Sequence, residues 1–422
     1  MTTDPKTPLP DGWHMVALGD VAKIIMGQSP PGSTVSDWDG ELEEEPGLPF
    51  IQGNAEFGAR SPTAVKWCAT PLKIAEPGDT LLSVRAPVGA TNRAECELAI
   101  GRGLAAVRFN DSQTPFGWHI VNHAKYELDR LTQGSTFSAI GSDVLRSLPI
   151  PLPPLEEQRG IATVLDTIDE AIERSEAIIA ATERLHDALL HELLTRGVPG
   201  RHSEYRDVPV LGTIPASWEA AQLGEVATIN RGLSWSRDQE LPAAEEGSTP
   251  VVRIGNVQRD GFKMDDVLHI KGVSSQELER HQISDNHLIM VGSNGNPDRV
   301  GNLYLANNEV VGHVMASFLI GIKPFKGVAT KYLDLSLSSW RPQRAITEST
   351  SGSTGLRNLS LEFLRSLRVA LPPLPEQEEI AEALDGVEAS IAQSKAQADT
   401  LRSLKASAAE ALLTGTVRVR GK

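Results

Sequence analysis

The chain has 422 residues, with 40 basic against 55 acidic side chains and a formal net charge of −15. That length exceeds one comfortable core, no apolar run approaches the ~20 residues of a bilayer-spanning helix, and two cysteines, Cys68 and Cys96, exclude a disulfide framework or a paired-cysteine metal site. The acidic total argues at first sight against a nucleic-acid partner, yet residues 207–371 carry 16 bases against 18 acids, whereas six acids crowd residues 37–45.

The start, Met1-Thr2-Thr3-Asp4-Pro5, lacks the charged and apolar regions of a secretory signal, so a cytoplasmic chain is expected. Pro10-Asp11-Gly12-Trp13 and Leu18-Gly19-Asp20-Val21-Ala22 then open a stretch of short strand-like runs such as Thr80-Leu81-Leu82-Ser83-Val84, broken by glycine, asparagine and proline. Such a pattern fits an α+β head whose loops carry function. Its polar turns hold Gln52, Asn54, Arg60, Arg85, Arg102, Ser135 and Thr136. Amide and guanidinium side chains read base edges bidentately, and hydroxyl-bearing turns offer donors to phosphate. The same residue types are the commonest turn formers, so both readings stay open for each position.

Leu152-Pro153-Pro154-Leu155-Glu156-Glu157-Gln158 follows, and after it apolar positions alternate by four and three: Ile161, Leu165, Ile168, Ile172, Ser175, Ile179, Thr182, His186, Leu189 and Leu193. Alternation of this kind is a coiled-coil seam, which calls for a second long helix. Prolines and acids suit the first turn, and Gly197 supplies a stop. A helix from about Glu156 to Arg196 would be roughly 60 Å long. Ser175, His186 and, in the second copy, Lys405 weaken the seam and are candidates for setting its register or for facing solvent.

Everything then recurs. Pro215-Ala216-Ser217-Trp218 and Leu223-Gly224-Glu225-Val226-Ala227 repeat the start at an offset of 205; Leu371-Pro372-Pro373-Leu374-Pro375-Glu376-Gln377 repeats the box at an offset of 219. Between them, His287 to Val291 reads as strand, and polar turns hold Arg253, Asn256, Asn294, Asn296, Arg299, Ser353 and Arg357. Between the heads the similarity thins to fragments such as Gly53-Asn54 against Gly255-Asn256. The second seam runs Ile380, Leu384, Val387, Ile391, Ser394, Ala398, Leu401, Lys405, Ala408 and Leu412, with Gly415 as its stop. A duplicated unit suggests two pseudo-twofold-related mixed α/β heads separated by two long helices pairing as an antiparallel coiled coil; pairing with a second copy of the chain is the alternative.

Catalytic signatures are missing from the sequence: no Gly-x-x-x-x-Gly-Lys loop, no Gly-x-Gly-x-x-Gly, no His-Glu-x-x-His and no Gly-x-Ser-x-Gly. His186 and His191, five apart on one helix, do not share a face as metal ligands. No catalytic or metal residue is therefore assigned, and binding or scaffolding is favoured over catalysis. A protein-binding homodimer offering Leu-Pro-Pro-Leu as a polyproline ligand and a stand-alone nuclease are the competing classes.

With its doubled Leu-Pro-Pro-Leu-x-Glu-Gln box, the following Ile161-Ala162 and Ile380-Ala381, the tryptophan-led starts and the Leu-Arg-Ser-Leu approaches at 145–148 and 364–367, the chain resembles the specificity subunit of type I restriction-modification systems. What this resemblance implies is a DNA-recognition subunit without catalysis of its own. Residues 1–152 and 199–371 would be target recognition domains, each reading half of a bipartite, asymmetric target in double-stranded DNA, and 153–198 and 372–415 the spacer helices, before a tail of 416–422. Two modification subunits with S-adenosylmethionine would methylate adenine N6 on a flipped base; restriction subunits would add ATP- and magnesium-dependent translocation and cleavage. Ile161, Leu165, Ile168, Ile172, Ile179, Leu189, Leu193, Ile380, Leu384, Val387, Ile391, Leu401 and Leu412 would pair the helices and dock the modification subunits.

Overall fold

The computed structural model describes residues 9–40, 46–58, 60–110, 114–125, 128, 139–258, 261–350 and 355–419. The chain divides into two compact units, 1–177 with 394–422, and 178–393. Each is a head plus the near part of its own long helix and the far part of the other.

In the first unit the strands His14–Ala17 and Pro149–Leu152 pair antiparallel, bringing the head's start to its end just before the proline box. Between them stand a four-stranded antiparallel sheet, in the order Ala22–Met26, Leu104–Phe109, Thr80–Ser83 and Thr91–Arg93, and a five-stranded sheet in which Leu48–Ile51 runs parallel to Leu98–Ile100. Helix α1 (Thr114–His123) packs beside the first sheet. The second unit repeats the plan. Glu219–Gln222 pairs with Arg368–Leu371; one antiparallel sheet runs Ala227–Arg231, Leu319–Pro324, Leu288–Val291 and Leu303–Leu305; and Thr249–Val252 lies parallel to Val314–Met315 in the other. The expected strands at 80–84 and 287–291 are thus present, each one residue shorter.

Helix α2 (Leu155–Arg196) has 42 residues and helix α4 (Leu374–Leu413) has 40, with α3 (Thr330–Ser338) lying in the second head. Gly197 and Gly415 take φ values of +75° and +78°, which only glycine adopts without strain, and so end the helices. Along both helices the seam positions are buried or half-buried, while most other positions are exposed. In unit one the core joins Trp13, Leu18 and Ile150 of the head to Ile161, Ala162 and Leu165 of α2 and to Leu412 and Leu413 of α4. In unit two Trp218 and Tyr332 join Ile380, Ala381 and Leu384 of α4 to Leu193 of α2. The start of one helix therefore meets the end of the other in each unit, which is antiparallel pairing within one chain and fills the seams that a second copy would otherwise need.

The acids of the proline boxes have a different job from the one expected. Glu157 accepts from Trp13 Nε1 at 2.9 Å and receives Arg418 at 3.0 and 2.7 Å; its counterpart Glu376 accepts from Trp218 Nε1 at 3.2 Å and meets His202 at 2.7 Å. Rather than only complementing a helix dipole, each glutamate ties the head's opening tryptophan to the segment beyond the partner helix. Arg418 above all, with Trp13, holds the Glu157 carboxyl below its usual range. Among the described residues no helix is long and apolar enough to cross a membrane.

Candidate nucleic-acid interface

In each head several of the described polar turns singled out from the sequence lie together at one end of the sheets. In the first, a side chain at Gly103 would come within 2.7 Å of the Gln52 carbonyl, so the Arg102-Gly103 turn lies directly on Gln52. The Gly103 carbonyl accepts from Val84 N at 2.9 Å, Arg85 bridges Ala139, and Ile140 N donates to the Val84 carbonyl at 2.8 Å. The Ser83 hydroxyl donates to the carbonyls of Arg85 and Pro87, holding the Arg85–Pro87 turn. Gln52, Arg85 and Arg102 are exposed there.

The second head builds the same end more elaborately. Ser293–Asn294 pairs with Arg357–Asn358, placing Asn294 opposite Arg357, and Leu359 N donates to the Gly292 carbonyl at 2.9 Å, as Ile140 does to Val84. Arg231 braces the region: Nη1 donates to Ser293 Oγ at 3.1 Å and to the Ser317 carbonyl at 3.4 Å, and Nη2 to the Leu359 carbonyl at 2.6 Å. Burial lowers the pKa of this guanidinium below its usual value. Arg299 donates to the Val257 carbonyl, bringing the 254–258 turn alongside. Arg357, Asn358 and Asn296 are exposed on this end.

Several expected contact residues prove to be committed elsewhere. Arg60 turns toward helix α2, with Nε 3.1 Å from Glu173 and Nη2 3.8 Å from Asp166. Asn256 is only 4% exposed, and its amide accepts from Arg253 N and donates to the carbonyls of Lys263 and Asp266, leaving no edge to read a base. The Arg253 guanidinium pairs with Asp266 at 3.0 Å. Asn294 and Asn296 each accept from a backbone N–H two residues on, a turn-forming role. Gln52 donates to Ser29 Oγ, and Asn54 is half-buried at the start of a short helical turn. That turn also corrects the fragment match: Asn256 occupies the place of Glu56, not of Asn54, since both cap their turn by accepting from the backbone three residues earlier. Ser135, Thr136 and Ser353 lie outside the described residues.

On the helices, Ile161, Leu165, Ile380 and Leu384 are fully buried, Leu193 and Leu412 nearly so, and Ile168, Ile172, Ile179, Leu189, Val387, Ile391 and Leu401 are half-buried. These side chains face the helix pair and the heads, so the innermost offer no surface to a partner. One cluster resembles a metal site: His119, Asp166 and Asp169 place ligand atoms within 4.8 Å of one another. Three cations already compensate it, Arg60 and Arg93 at 3.8 and 3.6 Å from Asp166 and Lys405 at 2.5 Å from Asp169. Burial alone would raise the Asp166 carboxyl, but the His119 hydrogen bond and the two arginines hold it below its usual value. Sequence reasoning missed this cluster, the Glu157 and Glu376 ties, and Phe318, which stands 44% exposed beside Ser293.

Residues 10–184 and 215–402 each match the family described as Type I restriction modification DNA specificity domain, and the chain belongs to that family. It is 41% identical over 191 residues to the putative type I restriction enzyme MjaX specificity subunit of Methanocaldococcus jannaschii, a match covering 44% of each chain. With the MjaIX specificity subunit of the same organism it shares 23% identity over 97% of this chain and 95% of the other. The crystal structure of the type I restriction-modification S subunit from M. genitalium superposes with a TM-score of 0.60 at 14% identity, covering 98% of each chain, which supports the fold. Two specificity domains on paired helices make this chain the non-catalytic DNA-recognition component of a type I restriction-modification system, which binds DNA and assembles with partner subunits.

Proposed function

We propose that residues 1–152 and 199–371 each read one half of a bipartite, asymmetric DNA target, and that α2 and α4 set the spacing between the halves. The observation that carries this reading is the placement of exposed arginine side chains, Arg85 and Arg102 in one head and Arg357 in the other, at corresponding ends of two duplicated domains. A two-stranded ribbon such as Ser293–Asn294 with Arg357–Asn358 has the width a major groove admits. Exchanging Trp218 to Ala370 for the head of another family member tests it: methylome sequencing should find one half-site changed and the other intact. Change in both, or in neither, contradicts independent reading.

Docking is assigned to the exposed flank of the helices. The positions just before Leu165, Ile172, Ile179 and His186 are Val164, Ala171, Ile178 and Leu185; those before Leu384, Ile391, Ala398, Lys405 and Leu412 are Ala383, Ser390, Gln397, Leu404 and Ala411. None of these is charged, although such flanks usually are, and Glu192 before Leu193 is the exception. The opposite flank is charged and cross-paired, as in Glu176 to Arg402 at 2.6 Å. Leu185 and Leu404, at 58% and 52% exposure, are counterparts 219 residues apart, as are the exposed Leu155 and Leu374. A mostly uncharged surface present twice, with Leu185 and Leu404 exposed on it, fits the same partner bound twice, namely two adenine-N6 methyltransferase subunits. Those subunits would supply the S-adenosylmethionine site, and restriction subunits the ATP- and magnesium-dependent steps, in the cytoplasm.

A further inference from the structure

We infer that Phe318 is a specificity-determining residue of the second head, making an apolar contact with a thymine methyl in the half-site that head reads. The inference rests on the reading of this loop end as the DNA-contacting surface. Phe318 occupies the tip of the turn between the strands Val314–Met315 and Leu319–Pro324. Its carbonyl accepts from Gly292 N at 2.8 Å and Ser293 N at 3.1 Å, so its backbone lies against the segment leading into the Asn294 and Arg357 ribbon.

The Phe318 residue is 44% exposed, so covering its ring would gain apolar burial. The turn that carries the ring is held in place. Arg231 hydrogen-bonds Ser293, the neighbouring Ser317 carbonyl and Leu359, locking the turn to both strands of the ribbon. Amides and guanidinium groups in a major groove recognise donors and acceptors, but the thymine methyl has neither, and an apolar side chain beside them is what registers it.

The two heads differ at this point. In the first head the corresponding carbonyl, accepting from Val84 N, belongs to Gly103, where an added side chain would meet Gln52 at 2.7 Å. One head closes the position with a polar residue against glycine; the other fills it with an exposed ring. Unlike half-sites follow from that difference.

The test uses the full complex with its modification subunits and a duplex carrying the methylome-mapped target. Each thymine of the second half-site is replaced in turn by deoxyuridine, which removes only the methyl. One replacement should weaken wild-type binding about fourfold; F318A should bind the thymine duplex about fourfold more weakly and be indifferent to that replacement, with F318L intermediate. Unchanged thermal melting of F318A, expected for a residue this exposed, separates the effect from misfolding. The inference is overturned if F318A binds as wild type does, if no deoxyuridine effect disappears in F318A, or if the half-site contains no thymine on either strand. R357A distinguishes the levels: weakened binding in R357A with none in F318A removes only the methyl contact, whereas no effect in either removes the DNA-facing reading of the loop end.

Discussion

Lys405 Nζ stands 2.5 Å from Asp169 Oδ1, joining helix α4 to helix α2 at a seam position where a hydrophobic residue would normally sit. Their counterparts 219 residues away, His186 and Glu388, face each other at 3.5 Å in the second unit. Each acid also lies in a cluster reached by a basic side chain from the head's own helix, His119 on α1 at 3.1 Å from Asp166 and Lys331 on α3 at 2.7 Å from Glu388. Histidine and lysine have exchanged places between the units. Each pair sets a basic side chain against an acid in one helix register, so it favours that alignment.

Removing the lysine should therefore cost more than a surface ion pair. Asp169 is 7% exposed and its Oδ2 has no hydrogen-bond partner, so K405M leaves a buried charge poorly compensated. Urea denaturation should show a loss of about 2 kcal/mol, below the ~3–5 kcal/mol of a fully buried pair because Lys405 keeps some solvent. The double variant K405M/D169N should recover more than half of the loss; an additive double variant would mean the two side chains do not interact.

Asp334 on α3 predicts a pH dependence. Burial pushes its carboxyl up to about 6, with Lys331 opposing and Glu388 adding to the rise. Between pH ~4, where the unfolded carboxyl titrates, and about 6 the folded chain holds a proton that the unfolded chain has released. Stability contributed at this site therefore falls as pH rises through that window. D334N should remove the decline and be more stable than wild type at pH 7.5 by on the order of 2 kcal/mol. Parallel stability–pH curves for the two proteins would contradict the assignment.

The exposed leucines separate docking from folding. L185D and L404D should change unfolding free energy by less than ~0.5 kcal/mol, as substitutions away from the core do, yet each should weaken assembly with the modification subunit at least tenfold in analytical ultracentrifugation. Full assembly of the double variant L185D/L404D would place docking on another surface.

Much of this was legible in the sequence because it is periodic or duplicated. The 219-residue offset revealed the boxes, and the four-three alternation located a seam whose members are buried or half-buried throughout. The contact residues were less legible. Asn256 and Arg357 read alike in sequence, yet one amide is consumed by its own turn while the other side chain stands exposed. Arg60 pairs with Glu173, 113 residues away, and Trp13 with Glu157, 144 away, so neither role has a local signature. Asp169 with Lys405 and Glu388 with His186 were recoverable in principle, since both pairs keep opposite polarity at the shared offset. Phe318 had no such signal: a single aromatic before a strand reads as core until its exposure is known.

Removing the matching seven-residue segments 175–181 and 394–400 tests the spacer most directly, because one heptad taken from each helix preserves both seams. Each helix loses about 10 Å at ~1.5 Å per residue, or about three base pairs at ~3.4 Å. Long-read methylation mapping in a host carrying this variant should find both half-sites unchanged and the unread gap shorter by about three base pairs. Methylation at the original gap would contradict the account.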